Sequence, residues 1–446
     1  MTQEEITTLI ENRDFKGLKA TLQDMLIPDI ADALDRIEDP ATTILVYRLL
    51  PKALSAEVFS YINPDAQETI IGYLNNNELS FIIEELATDD AVDFLEEMPA
   101  NIVEKVLKGA TPETRKTINK YLSYEEDTAG AIMTPEFVRL KVGTTVDEAF
   151  DHIRKQCKDA ETINVLYVVD DKKTLKGVLT IKELLLGTKN QIVDELMTNN
   201  IVVATTDMDQ EKIASIFSKY DFLALPVVDK EHRIVGIVTV DDVLDVVIEE
   251  TTEDFEKMAA IHISDDEPYL KTSPLKLVGR RFTWLGILLI TGIFTSMLIE
   301  AYEATFASIS ALICLLPMLM GAGGNCGTQI STIVIRSLSL KEITFKDYFK
   351  VFFKEFFVSL MLGILLGIIA FTCVTIQHGS WLLGLAVALP LILVIFIADF
   401  LGFSLPLLAK KLKLDPALIA TPILTTILDC CVVFVYFNFA SWILGF

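Results

Sequence analysis

The chain has 446 residues, 51% of them hydrophobic, with 38 Lys/Arg against 62 Asp/Glu and a formal net charge of -24. That length fits two or three domains, and such an acid excess repels nucleic acid and attracts cations, although a solvated acidic surface has the same composition. No Walker-type loop, nucleophile elbow or metalloprotease motif is present, which argues against an enzyme. The six cysteines form no CxxC pair and only Cys157 lies outside an apolar run, so disulfides and a structural zinc site are not expected.

Charge divides the molecule. From Lys276 onward lie 11 of the basic and 8 of the acidic residues, leaving 27 and 54 before that point. A polyanionic part therefore precedes an apolar, weakly basic one.

The opening MTQEEITTLIENRDF is acidic and polar, unlike a secretory signal, so the N-terminal part is expected to stay cytosolic. Residues 1–128 read as helices. Segments such as LSAEVFSYINPDAQETIIGYL and IVEKVLKGATPETRKTINKYL are helix, Pro-containing turn, helix, the pattern of a short superhelical stack. Asp89, Asp90 and Asp93 fall at the start of one helix. They suit the helix dipole there, and a metal-binding role is the alternative.

Residues 129–192 and 193–248 form an internal repeat. Each copy begins with Met-Thr (Met133-Thr134, Met197-Thr198) and runs through a strand, an amphipathic helix, a strand ending Val-Val-Asp, a GxxT strand and a final helix. This alternation predicts a small α/β module. The pair resembles tandem CBS domains, a family that often binds adenine nucleotides such as ATP between the repeats. The Thr-x-x-Asp pattern of that family is matched by Thr239 and Asp242, and Phe222 and Pro226 would join them. In the first copy Thr180 is followed by Glu183 instead. A helix cap at Thr239 accounts for the same residues without a ligand.

Residues 249–275 connect the repeats to the apolar part and are again acidic. Asp242, Asp245 and Glu249 share one helical face, and Glu250, Glu253 and Asp254 share another. Like charges this close destabilise a compact state unless cations bridge them.

Residues 276–446 contain five apolar segments, roughly 282–302, 309–335, 351–376, 381–408 and 417–444, each long enough to cross a bilayer. Lys276, Arg280 and Arg281 precede the first. Arg336, Lys341, Lys346, Lys350 and Lys354 follow the second, and Lys410, Lys411 and Lys413 follow the fourth, while the other two loops lack Lys and Arg. Positive loops remain in the cytoplasm, which puts the N-terminus inside and the C-terminus outside the cell membrane.

The second segment, with Pro317 and Gly321, Gly323, Gly324 and Gly327, is expected to be a broken helix whose freed carbonyls need protein or water. Close packing through small residues is one reading. Pore lining is the other, and it also explains Asn325, Thr328 and Gln329. In the last segment Thr421, Thr425 and Asp429 share a face. Asp429 lies at mid-membrane depth with no basic residue in the middle of any apolar run, so a cation is the partner its charge calls for. Asp399 in the fourth segment reads as a ligand or as a hydrogen bond to a neighbouring helix. Asp415, before Pro416, reads as a cap that also stands at a pore mouth.

The whole arrangement resembles the MgtE-type magnesium channels and transporters, most specifically in GAGGNCGTQISTIVIRSL and DPALIATPILTTILD. The resemblance implies a multi-domain protein: an all-α superhelical N-terminal domain, an α/β tandem CBS pair, a connecting acidic plug helix and an all-α five-span membrane domain. It implies a homodimer in the lipid bilayer whose second and fifth helices line the path. Asp429 would bind hydrated Mg2+, with Asp415, Thr425, Asn325 and Gly324 along the same route. It also implies closure by cytosolic magnesium at Asp89, Asp90, Asp93, Asp209, Glu211, Asp221, Asp242, Asp245, Glu250, Glu253 and Asp254. Oxygen ligands that leave the ion several waters suit magnesium, and manganese or cobalt would also be accommodated. A proton-coupled transporter using Asp429 or Asp399, and a membrane-anchored nucleotide sensor, are the alternatives.

Overall fold

The computed structural model of the chain describes residues 8–9, 12, 14–37, 39–157, 160–261, 270, 272–306, 310–417 and 422–445. They fall into two compact units, 1–247 and 248–446.

The first unit begins with short helices: α1 (Phe15–Asp24), α2 (Ile27–Asp35), α3 (Pro40–Tyr47), α4 (Lys52–Tyr61), α5 (Pro64–Tyr73), α6 (Asn76–Glu85), α7 (Thr88–Glu96), α8 (Ala100–Gly109) and α9 (Pro112–Tyr121). Their starts are written locally. Asp39, Asn63 and Thr111 each cap a backbone N–H ahead of a proline at the first helical position, and Asn75 forms a capping box with Glu78. Helices two apart pack together, α2 on α4, α3 on α5, α4 on α6, α6 on α8 and α7 on α9, which makes the stack a superhelix.

Two three-stranded sheets follow. In the first, β1 (Phe137–Lys141) runs parallel to β2 (Thr162–Val169), which pairs antiparallel with β3 (Leu175–Thr180). In the second, β4 (Ala204–Thr205), β5 (Ala224–Val228) and β6 (Ile234–Thr239) repeat that topology. Helices α10 (Val146–Gln156), α11 (Ile181–Leu186), α12 (Val193–Leu196) and α13 (Gln210–Tyr220) complete the repeats. The Met-Thr and GxxT signatures interlock across the pseudo-symmetry. Thr134 bridges to Ile237 of β6 and Thr198 to Val178 of β3. A Cβ on Gly236 would come 2.7 Å from Met133 Sδ, and one on Gly177 would overlap Met197 Sδ. Glycine there lets each repeat seat the other's methionine.

One hydrophobic core joins the helical stack to the second repeat, running from Leu18 and Phe59 to Ile213, Leu225 and Val243. Tyr121, at the end of the stack, donates its hydroxyl to the Val235 carbonyl at 3.1 Å.

Helix α14 (Val240–Met258) has no Gly or Pro and runs unbroken through the expected boundary at 248/249. The connecting segment therefore starts within a helix rather than as a new one. Beyond it lie α15 (Pro274–Phe306), α16 (Ser310–Ser339), α17 (Tyr348–His378), α18 (Trp381–Lys411) and α19 (Pro422–Leu444). These five are long and apolar enough to cross a membrane. Helix α18 is the hub, packed against α16, α17 and α19, and α15 leans mainly on α19.

Contrary to expectation, α16 is one continuous helix through Pro317 and the glycines. Packing supplies what propensity lacks. A Cβ on Gly323 would meet Val394 and Val432, and one on Gly327 would meet Leu424 and Leu428 and the Ala398 carbonyl. Small residues bring the backbones of α16, α18 and α19 together, and that contact outweighs the cost of Gly and Pro in the helix.

Candidate functional site

Helix α16 has two faces, and the close-packing reading of its small residues holds for one of them. Cys326, Gly327, Ile330, Ser331 and Val334 are buried against neighbouring helices, whereas Gly321, Asn325, Gln329 and Thr332 are exposed. The exposed residues recur at helical spacing and form a polar stripe along a spanning helix. Gly324, beside the stripe, has open space above it except for the Thr425 methyl group, 3.9 Å from where a Cβ would lie.

Across from it, α19 presents Thr425, Thr426 and Asp429, all half-buried. Thr426 and Cys430 face α15, with Thr426 Oγ1 3.4 Å from Thr291 Oγ1 and Cys430 Sγ 3.5 Å from Thr295 Oγ1. No side chain among the described residues hydrogen-bonds or ion-pairs with Asp429. Thr421, expected on the same face, lies outside the described residues. Asp415 stands before the last span, its Oδ1 accepting the Ala417 N–H at 2.8 Å and its Oδ2 2.7 Å from Lys257 Nζ.

Asp399 follows the hydrogen-bonding alternative. It is 3% exposed, and Cys326 donates its thiol to Oδ1 at 3.0 Å, tying α18 to the buried face of α16. Its Oδ2 is buried without a partner among the described residues.

In the first unit, the start of α7 meets the start of α14. Asp89 is 6% exposed, and its Oδ1 has no hydrogen-bond partner among the described residues. Burial pushes its carboxyl well above the usual range, helped by Asp242, Asp90, Glu136 and Glu161. Burial and the neighbouring charges of Asp242 and Glu136 raise Asp90 to about 6. Asp242 is raised to about 6, by burial first, with Asp241 adding to it against the opposing bond from Thr239. Glu161 is raised to about 7, by burial and then by Asp241 and Asp242. No basic side chain is among the leading influences on any of these four.

Glu136 and Glu161 were not legible as site residues, because neither belongs to an acidic run. They meet because β1 and β2 lie side by side, the Glu161 N–H donating to the Glu136 carbonyl at 2.7 Å. A hint lay in the repeat itself, where Met-Thr-Pro-Glu136 stands against Met-Thr-Asn-Asn200. Thr88 Oγ1 also donates to Glu136 at 2.7 Å. Among the described residues, no three His, Cys, Asp or Glu side chains close in on one point tightly enough to hold a bare metal ion.

The remaining acids are distributed otherwise. Asp93 is exposed one turn further along α7. Asp209 caps α13 at Lys212, Glu211 lies in its first turn, and Asp221 closes it in a left-handed conformation (φ 53°). The ends of that helix are about 18 Å apart, so these three cannot share one ion within a chain. Asp245 is exposed, with a carboxyl raised by burial and by Asp241. Glu250, Glu253 and Asp254 are half-buried on the last turns of α14, where Glu253 pairs with Lys257 at 2.6 Å.

At the repeat pair, Thr239 donates to Asp242 at the start of α14, and Thr180 forms a full capping box with Glu183. Both copies thus use the motif as a cap. Phe222 stacks on Tyr220 (5.3 Å between centroids) and Pro226 is buried in β5.

Comparison with known proteins covers nearly the whole chain. A family model described as the MgtE intracellular N domain matches residues 25–127, the CBS domain model matches 129–187 and 193–249, and the MgtE divalent cation transporter model matches 316–439. The magnesium transporter MgtE of Thermus thermophilus is 38% identical over 98% of this chain and 97% of its own. That of Bacillus subtilis is 33% identical over 94% and 95%. Among solved structures, the cytosolic domain of the Mg2+ channel MgtE in complex with ATP is 38% identical, with a TM-score of 0.52 over 55% of this chain and all of that one. The soluble part of a magnesium transporter gives 29% identity and the same TM-score over 56% of this chain and 99% of that one.

Proposed function

Because the chain belongs to the MgtE family of divalent cation transporters, we propose that it conducts magnesium across the cell membrane through a path shared by two copies. The observation that carries this reading is the polar stripe of α16, Gly321, Asn325, Gln329 and Thr332, exposed on a spanning helix beside Asp429, which has no partner among the described residues. Hydrocarbon does not tolerate such a surface, and a water-filled path or a second copy does. A second copy would also bring a second Asp429, and two carboxylates with the side-chain oxygens beside them make an oxygen ring wide enough for a hydrated ion. Asn325, Gly324 and Thr425 would line it, with Asp415 at its cytoplasmic mouth. In this reading the N-terminus is cytosolic and the C-terminus outside.

Cytosolic magnesium closes the path by binding among the acids where α7 meets α14. Asp89, Asp90, Glu136, Glu161 and Asp242 form the first site, and Glu250, Glu253 and Asp254 act further along α14. A cation there relieves mutual repulsion, so high magnesium selects the arrangement that holds these acids together. Asp209, Glu211 and Asp221, at opposite ends of α13, would bind ions only with a partner's help. An adenine nucleotide would bind at the repeat pair near Phe222, Pro226, Thr239 and Asp242. The domain limits are 1–128, 129–192, 193–248, 249–275 and 276–446.

The test is magnesium uptake by the purified full-length protein in liposomes. Flux should fall as magnesium on the cytosolic side rises from zero to millimolar, and Asp429→Ala should reduce it to background with an unchanged elution volume. Magnesium flux retained in a folded Asp429→Ala protein would overturn the path.

A further inference from the structure

One ion pair in the second unit is used by none of the roles above. Lys257 is the penultimate residue of α14. Its Nζ lies 2.6 Å from Glu253 Oε1 and 2.7 Å from Asp415 Oδ2, and its side chain is only 15% exposed. The contact with Glu253 is a local pair one turn back on the same helix and contributes little. The contact with Asp415 joins the end of α14 to the segment that opens the last span. Asp415 is held from its other side by the Ala417 N–H, so the carboxylate is fixed in place when the ammonium meets it. Burial works against the charge on Lys257, but the two carboxylates outweigh it and hold the ammonium above its ordinary range.

We propose that Lys257 is a tethered cation that occupies the mouth acid Asp415 and latches the connecting helix to the last span before any magnesium binds. Resting on the reading of Asp415 as the path's mouth, this latch sets how much magnesium closure requires. An ammonium on the same chain has a high effective concentration at Asp415. It sheds its water for direct contact more readily than magnesium, which gives up its own shell reluctantly. The helix end thus stays near the mouth at low magnesium, and the ion has only the remaining acids to neutralise. Such a device favours the closed arrangement by a fixed amount whatever the ion concentration, and so shifts the threshold without changing the path.

The experiment is the same liposome flux, read at zero and at graded cytosolic-side magnesium, with Lys257→Gln, Lys257→Arg and Lys257→Glu. Lys257→Gln should raise the zero-magnesium flux and the half-closing magnesium concentration by about threefold each, the scale of one partly buried ion pair. Lys257→Arg should keep both near the native values. Lys257→Glu should shift the threshold further than Gln.

Unchanged or reduced zero-magnesium flux in Lys257→Gln would overturn the latch. Native flux indifferent to magnesium would sink magnesium gating alone, and a higher flux in Lys257→Gln would still support the latch. Without any reference to flux, a double-mutant cycle of Lys257→Gln and Asp415→Asn on the thermal unfolding of the full chain reads the contact itself. Non-additive shifts support it, and additive shifts overturn it.

Discussion

The two units handle charge without counter-charge in opposite ways. In the first, Asp89, Asp90, Glu136, Glu161 and Asp242 are gathered from four stretches of chain, and the cost is shared as carboxyls pushed upward by burial and by one another. In the second, Asp399 and Asp429 stand singly in spanning helices, one bonded to a thiol and the other without a partner among the described residues. A group of acids with raised affinity for protons answers to the concentration of any cation, which suits a sensor. A single acid on a polar stripe meets one ion at a time, as a path requires. The contrast teaches that the arrangement of the acids, more than their number, separates the two roles proposed for them.

Removing one charge while keeping its shape tests the contrast most severely at Asp429. Asp429→Asn is expected to cut magnesium flux by more than about tenfold, because the amide keeps oxygen and size but loses the charge that attracts the hydrated ion. The thermal midpoint should hold or rise, since a costly carboxylate is gone. Flux near the native value would make Asp429 a packing residue and dissolve the comparison.

A smaller effect is expected where the charge is shared. Asp90, Asp242 and Glu161 bind protons more tightly folded, at about 6, 6 and 7, than their ordinary values of 3.8 and 4.5. Between those limits the folded state holds more protons than the unfolded one, so without divalent cations stability falls as pH rises from about 4 to 7 and then levels off. The first thermal transition of the full chain should therefore lie roughly 2–5 °C higher at pH 5 than at pH 7.5. Magnesium should close that gap at pH 7.5 and do little at pH 5. Asp89→Asn should raise the magnesium-free midpoint at pH 7.5 and blunt the response to the ion. A midpoint that rises with pH would mean that the acids are compensated in some other way.

Much of this architecture was legible from residue patterns. The spans, the repeat with its Met-Thr and GxxT signatures and the helical stack follow from hydropathy, periodicity and caps, which act over a few residues. The continuity of α16 was not legible. Pro317 and the glycines weaken a helix locally, and the packing of Gly323 against Val394 and Gly327 against Leu428 that restores it comes from other helices. Glu136 and Glu161 were invisible for the same reason, since the β1–β2 pairing brings them together and the Thr88 bond to Glu136 ties them to the start of α7. Lys257 and Asp415 lie far apart in the chain, and neither is unusual where it stands. Of the candidate path, the acids and the small polar residues could be read, whereas the face each helix presents could not.

The smallest expected effect concerns Asp399, which shares its setting with Asp429 but has a partner. If its role is to hold Cys326, and with it the rotation of α16, then an acceptor at that position matters and a charge does not. Asp399→Asn keeps a side-chain oxygen for the thiol and should leave magnesium flux within about twofold of native, since the acceptor survives and only the charge is lost. Asp399→Leu leaves the thiol without its acceptor and adds bulk beside Gly402, where a Cβ would already lie 2.6 Å from the Gly327 carbonyl. It should lower flux severalfold and weaken the preference for magnesium over manganese, because Gly324 and Asn325 turn with Cys326. Equal losses in Asn and Leu would show that the charge itself is used, and Asp399 would then join Asp429 as a second acid of the path.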